Sequence, residues 1–374
     1  MLHSLNALRV LAEFWIVRLH IGTDAGSPRW IRALAEVDLM SFFFVLSGFV
    51  CMYAQRETDF GKWGSKKQFY VRKLQKTYPL YLFWYTVSCI GTIRIYNLQC
   101  PWFWWCFVAD LVLLSPWSYC YQTENIRAAS WYITALFSLW AMFPFLKSFY
   151  VTYCPGYEWC KISLLYLFSL VPWCYLYVYP WQGPNFAEIP LVRLAEFSMG
   201  CTLVFTLDKP IHVLFPIGGC VVLIAYYLAE CMLLPDLEPF ETYFSTSTQC
   251  GLVDYNMTAI HQTKISRIYA FKSRFAILWA VLIHRCAAQE ARGLCPEFLD
   301  SQIFKSLSVF SLQLYLGHFA IGSTIRDLSN EWSIQYPDLK LPADLRTLCV
   351  YVLCYATYCY LQPVLDRIAS CAGT

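Results

Sequence analysis

The chain reads as an all-α, polytopic transmembrane helix bundle of about ten spans plus one short re-entrant or interfacial segment. Three observations predict this class. Of its 374 residues, 58% are apolar (AVILMFWYC) and only 14% charged, whereas soluble domains run near ~45–50% apolar and ~25% charged. Its apolar runs reach the roughly 20 residues a helix needs to cross a hydrocarbon core, and they lack the alternation of barrel strands. Tyr, Trp and Pro gather at the ends of many runs, where amphipathic rings sit at the headgroup level. The lipid bilayer is therefore the first expected partner. The same composition excludes an ordinary soluble enzyme and a disordered chain. A net charge of +3 argues against a nucleic-acid partner, and 18 cysteines fall below the density of a disulfide scaffold.

Taken in order, spans are expected near residues 5–22, 37–54, 79–96, 131–149, 161–180, 190–206, 211–229, 267–285, 304–323 and 346–363. Residues 101–114 are apolar but short and carry Asp110, so they are read as re-entrant; counting them as a span gives an eleven-span alternative. The first run holds Arg9, Glu13, Arg18 and His20 and no clear cleavage site, so it is expected to stay as a span rather than be removed. The longest gap, residues 230–266, is too short for a separate domain, so residues 1–374 are read as a single membrane domain. Between Arg56 and Lys76 lie seven basic residues against Glu57 and Asp59, which the positive-inside rule places in the cytoplasm. Two spans precede that segment, so the amino terminus is expected in the cytoplasm, and ten spans return the carboxyl terminus there. Residues 230–263 hold five carboxylates, no Lys or Arg, and the sequon at Asn256, which suits an external or luminal loop. Cys100 with Cys120, or Cys231 with Cys250, can pair outside under the ten-span topology.

Ionisable groups inside spans are costly and mark functional candidates. Arg9 and His20 lie eleven residues apart, three helical turns plus about 20°, on one face and about 16 Å apart along the axis. Glu13 shares that face, one turn beyond Arg9, while Arg18 falls opposite and is expected to snorkel. A neutral imidazole suits removal of a proton from a hydroxyl, and an arginine fork suits an anionic donor. An Arg9–Glu13 structural pair with an interfacial His20 reads the spacing equally well. Arg72, Lys73 and Lys76, at the mouth of the third span, suit a phosphate-bearing ligand; a purely topological role fits the other basic residues better. Ser47 beside Gly48 is read chiefly as a packing position. No cysteine and histidine spacing suggests a metal site, and none is expected.

Asn6-Ala7-Leu8-Arg9, ten further residues and His20 resemble the Arg-x10-His signature of the acyltransferase 3 family of multi-spanning membrane O-acyltransferases. Other blocks follow in the family's order: Val37-Asp38-Leu39 leading to Phe43-Phe44-Val45-Leu46-Ser47-Gly48-Phe49, the basic stretch from Phe69 ending in Tyr78-Pro79-Leu80-Tyr81, Ser130-Trp131-Tyr132 with Phe143-Pro144, Arg193-Leu194-Ala195-Glu196-Phe197-Ser198-Met199-Gly200, and Ser311 to His318 through Tyr315. The resemblance covers residues 4–363 and implies transfer of an acyl group, usually acetyl, from cytoplasmic acyl-CoA to an acceptor hydroxyl, most often on a carbohydrate. It implies His20 as catalytic and Lys73 and Lys76, preceded by Arg72, as donor-binding. Ser47, Trp131, Arg193, Glu196, Tyr315 and His318 become further pocket candidates.

Four positions depart from the family's pattern. Lysines replace the usual arginine pair and lose the bidentate fork. Leu136 stands where many members carry a glutamate, leaving Glu196 or Glu13 as substitutes. Gly317 replaces a bulky aromatic before His318, which is expected to loosen packing there. A transporter or flippase using the same polar path, or an inactive relative acting as an assembly partner, are the rival readings.

Overall fold

In a computed structural model, residues 2–22, 39–93, 101–117, 130–153, 156–178, 189–211, 217–221, 272–294, 298–335 and 342–371 are described. Ten α-helices carry most of them: α1 His3–Gly22, α2 Leu39–Ala54, α3 Trp63–Ile93, α4 Pro101–Leu111, α5 Ser130–Tyr153, α6 Glu158–Val178, α7 Pro190–Leu203, α8 Ala276–Ala291, α9 Gln302–Gln335 and α10 Ala343–Cys371, with a further short helical stretch at 217–221. No strand occurs among the described residues. Residues 131–153 and 344–367 are long and apolar enough to cross a bilayer, and α2 is apolar but shorter. The cysteine pairs considered above, the sequon at Asn256, the acidic 230–263 segment and most of the expected 211–229 span lie outside the described residues.

Around an apolar core, the bundle buries several charged residues and exposes many large apolar ones. Glu13, Arg193, Glu196, His284 and His318 are buried, while Phe145, Leu167, Phe168 and Val352 are exposed. A bundle that holds ionisable groups inside and large apolar side chains outside is matched to lipid rather than to water.

Two parallel helix pairs organise the interior. The first is α2 on α7, the most extensively packed pair. It is close because each helix offers a glycine to the other's backbone: a Cβ added at Gly48 would lie 1.9 Å from the Phe197 carbonyl oxygen, and one at Gly200 1.9 Å from that of Val45. Cys201 Sγ also donates to the Gly48 carbonyl at 3.4 Å. Small residues permit such contact where lipid supplies no hydrophobic drive between helices. The packing role expected of Ser47 thus belongs to its neighbour.

The second pair is α1 on α9. Arg9 reaches Ser308 and His20 reaches His318, sequence offsets of 299 and 298. A nearly constant offset means parallel helices in register. Around this pair Val17, Phe310, Leu314, Val350 and Cys354 form a small apolar cluster shared with α10, and Tyr351 of α10 donates to the Phe14 carbonyl at 2.8 Å.

Several contacts tie helix ends together. Lys147 of α5 donates to the carbonyls of Gln55, Arg56 and Thr58, the latter two at 2.9 and 2.6 Å, just past the end of α2. Glu290 near the end of α8 accepts from the backbone N–H of His3 at 2.5 Å and of Ser4 at 3.0 Å, satisfying first-turn donors of α1. The ends of α2 and α5 therefore meet just ahead of α3, and the end of α8 meets the start of α1. Arg18, expected to snorkel, pairs with the exposed Asp344 in the first turn of α10 at 2.7 Å. Lys147→Met, which keeps stem length but loses three charged bonds to carbonyls, is expected to lower stability by roughly 2 kcal/mol. Thermal unfolding in detergent measures it.

Residues 101–117 return along α3. Tyr78, Tyr81 and Tyr85 donate to the carbonyls of Leu111, Asp110 and Phe107 at 2.8, 3.0 and 3.2 Å. Rising numbers on one helix meet falling numbers on the other, so α4 runs antiparallel to α3. Trp117 then donates to Ser138, midway along α5, at 2.9 Å.

Candidate active site

The polar stripe expected on α1 is matched by one on α9. At the end of α1 nearest Lys76, Arg9 Nη2 donates to the Ser308 carbonyl at 2.6 Å and lies within electrostatic reach of Lys76. It closes no salt bridge with Glu13, so the simple structural pair is not formed. Glu13 is buried, with the Ser311 hydroxyl beside its carboxyl group. Among the described residues its Oε2 has no hydrogen-bond partner.

Further along the seam stand Tyr132 and Ser47, their hydroxyls 3.0 Å apart. Tyr132 meets the Tyr315 ring edge-on at 5.4 Å, and Trp131 packs near Phe44. At the far end His20 Nδ1 lies 2.9 Å from His318 Nε2. His318 is fully buried, whereas His20 is exposed. A buried acid, two hydroxyls and two imidazoles thus follow one another between α1, α2, α5 and α9.

Gly317 does not loosen this region. A Cβ there would sit 2.5 Å from the Trp84 ring, so an indole from α3 fills the volume that an aromatic at 317 would take. Trp84 and Gln313, one helical turn before Gly317, are buried residues that spacing alone did not single out. Gln313 was nevertheless visible as a polar residue within an apolar run.

Behind the Arg9 end, α3 and α10 enclose a groove of about 480 Å³ lined by Arg72, Gln75, Lys76, Pro79, Leu80, Gln362, Leu365 and Asp366. Residues 72, 76 and 79 share one face of α3. Lys73 is turned from it: its ammonium lies 4.3 Å from the Trp140 ring centroid and 5.6 Å from that of Phe69. Of the three cations expected together, Arg72 and Lys76 line the groove and Lys73 makes a cation–π contact with α5 instead. Burial, with Arg9 and Lys73 close by, holds the Lys76 ammonium below its ordinary pKa. An anion in the groove relieves that crowding.

Arg193 and Glu196 form a separate cluster. Both are fully buried and joined at 3.0 Å; Glu196 also accepts from Ser41 at 2.8 Å and from Ser273, and Arg193 covers the Phe44 ring. This network ties α2 and α7 to the start of α8 and is enclosed on all sides. Arg193 and Glu196 thus lie apart from the α1–α9 seam, on which Glu13 is the buried carboxylate. Leu136 is buried in the core.

A family profile described as an acyltransferase domain matches residues 2–361. The chain belongs to the acyltransferase 3 family. That family is membrane-associated, in keeping with the helices long and apolar enough to span a bilayer. None of the curated proteins and none of the solved structures compared with the chain matches it. Within the acyltransferase 3 family's Arg-x10-His signature, Arg9 and His20 occupy opposite ends of one seam, each facing α9.

Proposed function

We propose that this chain is an integral membrane O-acyltransferase that moves an acyl group, acetyl by family habit, from cytoplasmic acyl-CoA to a hydroxyl of a carbohydrate or glycoconjugate acceptor. The observation that carries the reading is the in-register α1–α9 seam. It places the cationic groove and Arg9 at one end and the His20 imidazole at the other.

In this reading Arg72 and Lys76 hold the phosphates of CoA while the pantetheine arm enters beside Arg9. The acceptor oxygen attacks the thioester carbonyl carbon as His20 takes its proton. The C–S bond then breaks, and the CoA sulfur recovers that proton. No metal is required by this sequence of steps. Ten spans with both termini cytoplasmic fit the contacts between helix ends: Lys147 at the end of α5 meets the α2–α3 junction, which an odd span at 101–114 would set on the opposite face.

Detergent-purified protein incubated with radiolabelled acetyl-CoA and a panel of sugars tests the reading. CoA release coupled to labelling of a sugar supports it. Substrate movement in liposomes without thioester consumption makes the chain a transporter. Absence of both makes it an inactive partner, for which the buried Leu136 in place of a glutamate is the one favouring feature. Arg72→Ala and Lys76→Ala are each expected to raise KM for acetyl-CoA about tenfold with kcat little changed, because phosphate contacts remote from the reacting carbon are made equally in ground and transition states. Lys73→Ala is expected to change KM several times less. Initial rates against donor concentration separate the three.

A further inference from the structure

The two histidines that meet at the far end of the seam are not equivalent. Their ring planes lie within 5° and their centroids 5.1 Å apart. That separation is the 2.9 Å nitrogen contact extended by one ring radius at each end, so the rings sit edge to edge in nearly one plane, joined through nitrogens. One nitrogen must donate and the other accept.

The direction follows from the other side of His318. Its Nδ1 lies 2.6 Å from the Tyr315 carbonyl oxygen and 3.3 Å from that of Leu314. A carbonyl oxygen only accepts, so Nδ1 of His318 carries a proton. In a neutral ring Nε2 is then the acceptor, and it takes its hydrogen bond from His20 Nδ1–H. Charging a fully buried ring is costly unless a carboxylate pairs with it, and among the described residues His318 bonds only to His20 and to the Leu314 and Tyr315 carbonyls. A neutral His20 that donates through Nδ1 carries its lone pair on Nε2.

We infer that His318 is a positioning residue, handing the polarity of the Tyr315 carbonyl through its own ring to fix His20 as the Nδ1–H tautomer, with Nε2 as the base. Its use as a base rests on the acyltransferase reading; the tautomer does not. The histidine side chain in water prefers the opposite form, with the proton on Nε2, so the contact inverts a default. The arrangement parallels other catalytic histidines, where the group bonded to one nitrogen decides which one does chemistry. Here a neutral histidine fills the place of the usual carboxylate. That suits a bilayer, where an additional buried charge is costly.

The test uses the full-length protein labelled with 15N-histidine. Only six histidines are present, and His20 is assigned by the signal lost in His20→Gln. In alkaline buffer, two-bond 15N–1H correlation distinguishes the tautomers. Wild-type His20 is expected to be protonated at Nδ1, to shift toward the Nε2–H form in His318→Phe, and to keep Nδ1–H in His318→Gln, whose amide oxygen can replace Nε2 as acceptor. CoA release from acetyl-CoA is expected to fall at least about tenfold in the Phe variant and to recover largely in the Gln variant. A wild-type His20 protonated at Nε2 overturns the inference. So does a folded His318→Phe protein with an unchanged His20 spectrum. The wild-type and Gln spectra decide the matter if the Phe variant does not fold. The expected tautomer together with no thioester consumption leaves the dyad standing and removes the acyltransferase reading.

Discussion

Alanine at His20 is expected to lower acyl transfer from acetyl-CoA by at least ~10²-fold while the protein remains folded in detergent. General base catalysis contributes about 10²–10⁴-fold, and no other imidazole among the described residues reaches the same place: His318 is enclosed behind His20, and His284 is bonded to the Thr206 carbonyl between α7 and α8. Folding and activity separate cleanly because His20 sits exposed at the end of α1, so its loss leaves no large cavity. CoA release followed by a thiol reagent gives the rate, and gel filtration reports the fold. A folded His20→Ala protein with near-normal turnover removes His20 from the chemistry.

The largest structural effect is expected where α2 and α7 cross. At both Gly48 and Gly200 an added methyl would meet backbone carbonyl oxygen at 1.9 Å, and backbone cannot swing aside as a side chain can. The two helices must move apart, which loosens the Arg193–Glu196 joint at one end and the packing of Phe49 and Phe197 in the middle. Overpacking usually costs about 1–3 kcal/mol, and a helix–helix separation belongs at or above the top of that range. Gly48→Ala and Gly200→Ala should therefore each unfold at markedly lower temperature. Because both methyl groups would demand the same separation, the double variant should be little worse than the poorer single one. Gly64→Ala provides the contrast: no atom lies within 4 Å of the added carbon, and alanine is favoured over glycine within a helix. Full additivity between positions 48 and 200 would mean that they do not share one crossing.

Much of this site follows from local periodicity. The common face of Arg9, Glu13 and His20 needs only 100° per residue, and all three line the α1–α9 seam. The partner stripe does not follow from such arithmetic, because nothing local relates residue 20 to residue 318. Lys73 shows a finer limit. It is adjacent in sequence to Arg72 and carries the same charge, yet the aromatic faces of Phe69 and Trp140 draw it to the opposite side of α3 from the groove. Gly317 illustrates compensation: the missing aromatic is supplied by Trp84 from another helix. Helix lengths also exceed the apolar windows, since the basic stretch before Pro79 continues helically into the span as part of α3. Polar residues can extend a helix beyond the membrane without contributing to hydropathy.

The constant offset between α1 and α9 also bears on how the molecule is made. Arg9, Glu13 and His20 emerge among the first residues synthesised, and their partners Ser308, Ser311 and His318 only within the last fifth of the chain. Through most of translation the first helix holds an arginine and a carboxylate with neither half of the seam complete. The α1–α9 closure is thus a late step of assembly, with only α10 still to follow, and a chain stopped before Ser308 lacks the carbonyl that anchors Arg9 as well as the imidazole that directs His20.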